Sequence, residues 1–491
     1  MNKENSQKEH IAAAVALALL CNAVPASGQD TSQRVEELEE AVKELTKEID
    51  SLKGQVNDNK EKTATVQQKV DSSVPTASLG EGIGFNDPKG QWALRFNGRI
   101  QGDYRTYDPN GISASTFGLR RARIGMALTV LKDYQMYVEG EFINGAATGT
   151  ATQTAALTNG WLEAAWFKAA RVRIGQFKPQ FGFENSMPDV LTDFQERALT
   201  QSLLQNLNYD RGIMVHGSPL KGVYYGVTVS NGAGLNLEES QGNTAEARAD
   251  GKDLSVRLVQ NFAEFLDVPD LVLHFGGSHK SGTVTTRTTG TTTTAFTPAS
   301  VQTEGRGITF FNSAALSGTH IDRTISELET TAAFRRVKVQ SEYWKAEYEG
   351  STTGGVPYDR NLDAYYVSLG WMITGEAYAD SYRGGVYGRL RPRNNFSMEE
   401  GGGWGAWEFA LRYSKFDGGD FTTTNAADTG VLSAGSTNKA DAYTVQLKWL
   451  PNAYTRFLVN YINTSFDTPV TVNGETTDDE KAVTLRAQFD F

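Results

Sequence analysis

The chain of 491 residues has one cysteine, Cys21, only five histidines, and no apolar run beyond its first two dozen residues long enough to cross a membrane as a helix, which takes about 18 residues or more. Cys21 sits in a leader that processing would remove. An exported mature chain then has no disulfide, and its stability must come from strand pairing and packing. There is no Gly-rich phosphate loop, zinc-ligand spacing or nucleophile elbow, and His216, His274, His279 and His320 are scattered along the chain. Catalysis finds no foothold, and neither cofactor nor metal is implied. The net charge of −11 disfavours nucleic acid as a partner. With spanning helices excluded, a membrane could be crossed only by a closed barrel.

The leader itself is clear. Met1 to His10 is polar with Lys3 and Lys8, Ile11 to Cys21 is apolar, and Val24-Pro25-Ala26 is a small-residue cleavage site, so residues 1–26 read as a secretory signal. Leu20 stands before Cys21 where lipidation wants Gly or Ala, which argues against a lipoprotein.

Residues 31–71 carry a seven-residue repeat. Val35, Val42, Ile49, Val56, Thr63 and Val70 fall at one seam position, and Leu38, Leu45, Leu52, Asn59 and Val66 at the other, the pattern of an α-helical coiled coil. Arg34 with Glu39 and Glu48 with Lys53 fit pairing between neighbouring chains. At 1.5 Å per residue the helix would be roughly 60 Å long, enough to reach into the periplasm. Residues 72–90, rich in Ser, Gly, Pro and Asp, read as a linker.

From residue 91 to 491 the chain alternates. Trp92, Leu94, Phe96, Ile100 and Tyr104 share one face of the first segment, and Arg95, Asn97, Arg99, Gln101, Asp103 and Arg105 share the other, the two-faced pattern of a strand between lipid and water. The final segment does the same, with Val483, Leu485, Ala487, Phe489 and Phe491 opposite Thr484, Arg486, Gln488 and Asp490. Counting such segments gives about sixteen antiparallel strands, an all-β transmembrane barrel with both ends in the periplasm. Tight connections such as Leu131-Lys132-Asp133 alternate with long ones at 144–159, 182–210, 277–324 and 414–438, so the long ones should face the exterior.

A barrel of this size encloses a water-filled channel. Parity turns Arg95, Arg99, Arg105, Arg121, Arg123, Arg173, Arg257, Arg412, Arg456 and Arg486 inward, with Lys338 and Lys448. Guanidinium groups bind oxyanions through paired, charge-assisted hydrogen bonds, which points to small anions. The competing reading is that Glu139, Glu141, Glu163, Glu342 and Glu408 neutralise these cations locally.

Several ordered motifs resemble the phosphate-selective porin O and P family over roughly residues 90–491. They are Gly98-Arg99-Ile100-Gln101, Leu119-Arg120-Arg121-Ala122-Arg123, the run from Arg173 to Pro179, Phe194-Gln195-Glu196-Arg197-Ala198, Asp210-Arg211-Gly212, Tyr365-Tyr366, Leu369 to Glu376, Gly405 to Phe409, Arg412-Tyr413-Ser414 and Trp449-Leu450-Pro451-Asn452. The resemblance implies a homotrimeric sixteen-stranded porin whose long loop, here 182–210, folds into the channel. It carries the family's central anion site over to Arg99, Arg120 and Arg121, although parity puts Arg120 outward unless a bulge intervenes. The chain departs from the family in its net acidic barrel, and no basic external funnel can be located in its loops. Glu196 and Arg197 are candidates for a pore-lining pair or for a loop-anchoring salt bridge.

The candidate solute-binding set is therefore Arg95, Arg99, Arg120, Arg121, Arg123, Arg173, Lys178 and Arg197. The expected function is passive diffusion of small solutes, anions such as phosphate, through a trimer in the bacterial outer membrane, in contact with its lipid. The alternative is a barrel that tethers the outer membrane to the cell wall through a partner of helix 31–71.

Overall fold

The computed structural model describes residues 30–71, 74–80, 82–109, 112–143, 155–236, 252–284, 287–289, 292–294, 299–313, 318–352, 357–399, 401–422 and 432–491. The signal reading of residues 1–26 lies outside them. The chain divides into two units, residues 1–74 and 75–491.

Among the described residues of the first unit is one helix, α1 (Asp30–Asp71), of 42 residues. Its seam residues from Val35 to Val56 are all half exposed or more. The heptad repeat thus reports a helix with an uncovered apolar seam.

The second unit is a closed antiparallel barrel of sixteen strands with a hairpin added. The hairpin is β1 (Thr76–Gly80) and β2 (Gly82–Asn86). It lies within the stretch expected to be a linker. The barrel strands are β3 (Trp92–Asp108), β4 (Thr116–Val130), β5 (Tyr134–Glu141), β6 (Ala156–Phe167), β7 (Ala170–Phe177), β8 (Asp210–Gly217), β9 (Val223–Ser230) and β10 (Asp253–Asn261). They continue as β11 (Leu271–Val284), β12 (Gly318–Phe334), β13 (Val337–Thr352), β14 (Pro357–Met372), β15 (Ala406–Asp417), β16 (Lys439–Asn452), β17 (Thr455–Val472) and β18 (Glu475–Asp490). Each pairs with the next, and β18 closes on β3 from Lys481↔Asp108 to Asp490↔Arg99. Beyond that point β2 takes over the remaining edge of β3, with Ile83 opposite Phe96.

Closure fixes the terminal residue. Phe491 exchanges two backbone hydrogen bonds with Gly98, at 3.0 and 3.1 Å, and a Cβ on Gly98 would come within 2.8 Å of the Phe491 ring. A side chain at Gly98 would push the terminal ring aside. Along β18, Val483, Leu485 and Phe489 face outward while Thr484, Arg486, Gln488 and Asp490 are buried inside, as the alternation required.

The strands β11 and β12 run well into the stretch 277–324 that the sequence marked as loop, pairing from Leu271↔Phe334 to Val284↔Ile321. Apolar alternation fades there because a strand that outruns the lipid band has no need of an apolar face. A second departure concerns residues 373–405. This 33-residue connection lies on the rim of the tight turns, between β14 and β15, and the alternation of short and long connections gave no sign of it.

The interior is only partly a water channel. Phe181, Leu199, Leu203 and Leu204 from the connection after β7, with Val301, Ile308, Phe310 and Phe311 from that after β11, form an apolar core against Trp344, Tyr348, Leu362 and Phe416 of the inner wall. A second core joins Phe183 and Met187 to Tyr378 and Tyr387 of the connection 373–405. These fill the lumen on the side of β11 to β17 and leave its free space against β3 to β7.

Candidate functional site

The connection after β7 enters the lumen through Gly182 (φ 64), where a Cβ would lie 2.4 Å from the Trp344 ring. A single turn, Phe183–Ser186, follows, and its first backbone N–H groups, from Phe183 and Glu184, donate to the Glu342 carboxylate at 2.6 and 3.2 Å. The loop is then pinned across the channel. Lys338 holds Asp193 at 2.6 Å, the Arg412 guanidinium stacks 4.3 Å over the Phe194 ring and donates to the Glu196 carbonyl at 3.1 Å, and Gln488 donates to the Val190 carbonyl at 2.9 Å.

Two loop carboxylates collect most of the cations. Asp189 faces Arg197 at 2.6 Å, Lys178 and Arg123 at 3.1 Å each, and Arg121 at 3.4 Å. Glu196 faces Arg105 and Arg120 at 2.8 Å and Arg486 at 2.9 Å. Burial pushes both carboxyls up, but the surrounding cations outweigh it. Lys178, Arg121, Arg197 and Arg123 hold Asp189, and Arg120, Arg486 and Arg105 hold Glu196, well below the usual carboxylate range. Asp103 bridges Arg105 and Arg486, Glu141 meets Arg123 at 2.6 Å, and Glu139 pairs with Arg99 and Arg123. Within these connected ion pairs, eight cations share five carboxylates.

Arg120 reaches Glu196 because of a bulge. Gln101 of β3 pairs with Arg121 of β4, but the next residue, Gly102, pairs with Leu119, so Arg120 is the extra residue of the wider strand. Its guanidinium takes both Glu196 oxygens, at 2.8 and 3.1 Å. The parity that turned Arg120 outward fails at this point.

The other candidates separate by position. Glu196 and Arg197 are adjacent yet serve different hubs, so they do not form a pair with each other. Arg173 meets Glu163 at 2.6 Å, with its guanidinium 3.9 Å over the Trp161 ring. Three cavities follow one another along this wall. One of about 450 Å³, between the inserted loop and residues 300–306, is lined by Arg120, Arg121, Arg197 and Arg306 with Asp189 and Glu196. A second of about 290 Å³ takes Asp189 with Arg99, Arg173 and Lys178. A third of about 440 Å³ takes Arg99 with Arg95, Arg383 and Arg389. Arg306, Arg105 and Arg486 thus belong beside the expected set. Parity named the last two as inward, but only the fold brings them to one carboxylate.

Carboxylate oxygens of Glu327, Glu329 and Glu342 lie within 4.8 Å of one another. Glu329 is already engaged by Arg257 and His274, and Glu342 by the loop N–H groups and Tyr366. Of the three, Glu342 anchors the inserted loop and Glu329 holds Arg257 and His274.

A family model, phosphate-selective porin O and P, matches residues 94–491. The chain belongs to that family. The porin therefore resides in the bacterial outer membrane. Solved structures to which this porin is similar include OmpT of Vibrio cholerae (12% identity, 82% of this chain and 98% of that one, TM-score 0.46), an anion-selective porin from Comamonas acidovorans (12%, 82% and 100%, 0.46) and the outer-membrane channel DcaP of Acinetobacter baumannii (12%, 82% and 98%, 0.47). No curated protein sequence matches it.

Proposed function

We propose that this porin is an anion-preferring diffusion channel, with phosphate among its solutes, and that its selectivity resides where the inserted loop meets β3 and β4. The observation that carries this reading is the imbalance at the two hubs: Asp189 is shared by four cations and Glu196 by three. A loop carboxylate that neutralises one arginine leaves the others able to offer N–H donors to a passing oxyanion. Arg120, Arg121 and Arg197 do so from the first cavity and Lys178 from the second, while Arg123 braces Asp189 between them; Arg173, paired with Glu163, and Arg95 with Arg99, the latter paired with Glu139, add positive potential along the wall of the second and third cavities. This local excess sits in a barrel that is acidic overall, and selectivity follows the groups that line the path rather than the net charge of the chain. The family description is of a channel rather than an enzyme.

We further propose a homotrimer, with the α1 seams of three copies paired as a coiled coil and residues 1–26 removed as a signal.

Planar-bilayer recording of the purified protein under a salt gradient tests the channel reading. The reversal potential should lie on the anion side, and added phosphate should reduce chloride current. A cation-selective potential, or chloride current indifferent to phosphate, would overturn it.

A further inference from the structure

The third cavity is built differently from the first. Its roof is the inserted loop, through Pro188, Val190 and Leu191, and its floor is the connection 373–405, through Val386, Tyr387 and Gly388. Its wall is β3 and β5, through Arg95, Arg99 and Tyr137, with Arg389 closing one side. The floor is held from several directions. The Tyr387 hydroxyl lies 3.1 Å from that of Thr331, the Tyr382 hydroxyl is 2.7 Å from His274 Nδ1, and Arg257 donates to the Gly385 carbonyl at 2.9 Å. Arg389 pairs with Asp490 and donates to the Ala453 carbonyl at 2.5 Å. Roof and floor are thus both anchored to the barrel, and the space between them is a chamber.

A hydrated inorganic anion gains nothing from proline, valine and leucine side chains. It can be served by polar groups, as in the first cavity, where Leu199 is the one apolar residue of a lining that sets Arg120, Arg121, Arg197 and Arg306 beside Asp189, Glu196 and Glu304. In the chamber, apolar surface from two inserted segments faces guanidinium groups on the wall, and the side-chain carboxylate in its lining, Asp490, is paired with Arg389. That combination suits a solute with an apolar body and an anionic head. The volume of about 440 Å³ lies within the range of small-molecule sites, roughly 300–1,000 Å³.

We propose that the chamber is a binding station for small organic anions with an apolar body, of the aromatic monocarboxylate class, the carboxylate toward Arg95 and Arg99 and the ring between Leu191 and Val386. This rests on the anion-channel reading and names a solute class for it. Ring burial between the two segments adds an affinity that a short-chain anion of equal charge lacks.

The test uses the full-length porin in planar bilayers, comparing reduction of chloride current by benzoate and by acetate. Benzoate should half-block at a concentration roughly tenfold lower than acetate, since partial burial of a phenyl ring is worth about that factor. Val386→Asn should abolish the difference while leaving block by phosphate unchanged, and Arg95→Gln should weaken both carboxylates alike. An anion-selective channel in which benzoate and acetate block equally would overturn the chamber proposal alone. A cation-selective channel would overturn the anion reading and this one with it.

Discussion

Glu196 is the residue on which the charge balance turns. Its carboxylate accepts from Arg105, Arg120 and Arg486, and glutamine in its place keeps one acceptor oxygen while removing the charge. Glu196→Gln should therefore raise the anion-to-cation permeability ratio, and Arg120→Ala should lower it. A hydrogen bond to a charged group is worth about 1.5–3 kcal/mol, so Arg120→Ala should also raise the phosphate concentration for half-block by roughly tenfold or more. Reversal potentials and block curves on the two variants check both signs; a shift of the two in the same direction would contradict the hub. Asp189 yields a prediction about pH. Its carboxyl is held below the unfolded value of about 3.9, so the stability it lends the loop is present above that value and lost only as pH falls through the lower, folded one. Between pH 6.5 and 4.5 the open-channel noise should therefore stay flat. Asp189→Asn, which leaves four cations around a neutral amide, should be noisy throughout that range. Noise rising in the unmodified porin already near pH 5.5 would show that a group titrating there, and not Asp189, limits the order of the loop.

At the scale of the element, period-two alternation carried the barrel strands and most inward arginines, because a strand between lipid and lumen must satisfy two solvents at once. It failed where other physics took over. One extra residue in β4 turns Arg120 inward without disturbing the pattern on either side, so the sequence can mark the bulge as conceivable and no more. The inner apolar residues Trp344, Tyr348 and Phe416 read as misplaced in a polar lumen until the loops that cover them are known. The connection 373–405 has no period at all. Its tyrosines are placed by contacts scattered over the barrel, the hydroxyl of Tyr378 on Glu408 at 2.5 Å and that of Tyr387 on Thr331 with both rings in the core around Phe183, and such contacts leave no repeat to detect. Because this connection occupies the lumen rather than building the wall, replacing residues 377–391 with a short Gly-Ser turn should leave the barrel folded. Single-channel conductance should rise, and anion preference should persist, since both hubs lie on the other inserted segment. A loss of selectivity in that variant would move the filter to the connection.

For the whole molecule, the open question is what α1 adds to a barrel that closes on itself. Seven apolar seam residues between Val35 and Val56 are at least half exposed in the single chain. Fully burying a side chain of this kind contributes about 1.5–3 kcal/mol, so pairing would offer on the order of 10 kcal/mol per helix before the cost of association. Helices belonging to one trimer would meet at the high effective concentration that tethering provides, which makes that cost small. Asn59 and Thr63 interrupt the seam and favour one register over another. Deleting residues 31–71 should then lower the temperature at which trimers in mild detergent fall apart to monomers. The temperature at which the monomeric barrel itself unfolds should not move, and neither should single-channel conductance, because β3 to β18 contain the whole closed sheet. Gel mobility over a heating series reads both transitions in one experiment. If trimers of the shortened chain resist heat as well as those of the full chain, the seams do not pair within the trimer, and the apolar stripe of α1 must be covered by something else.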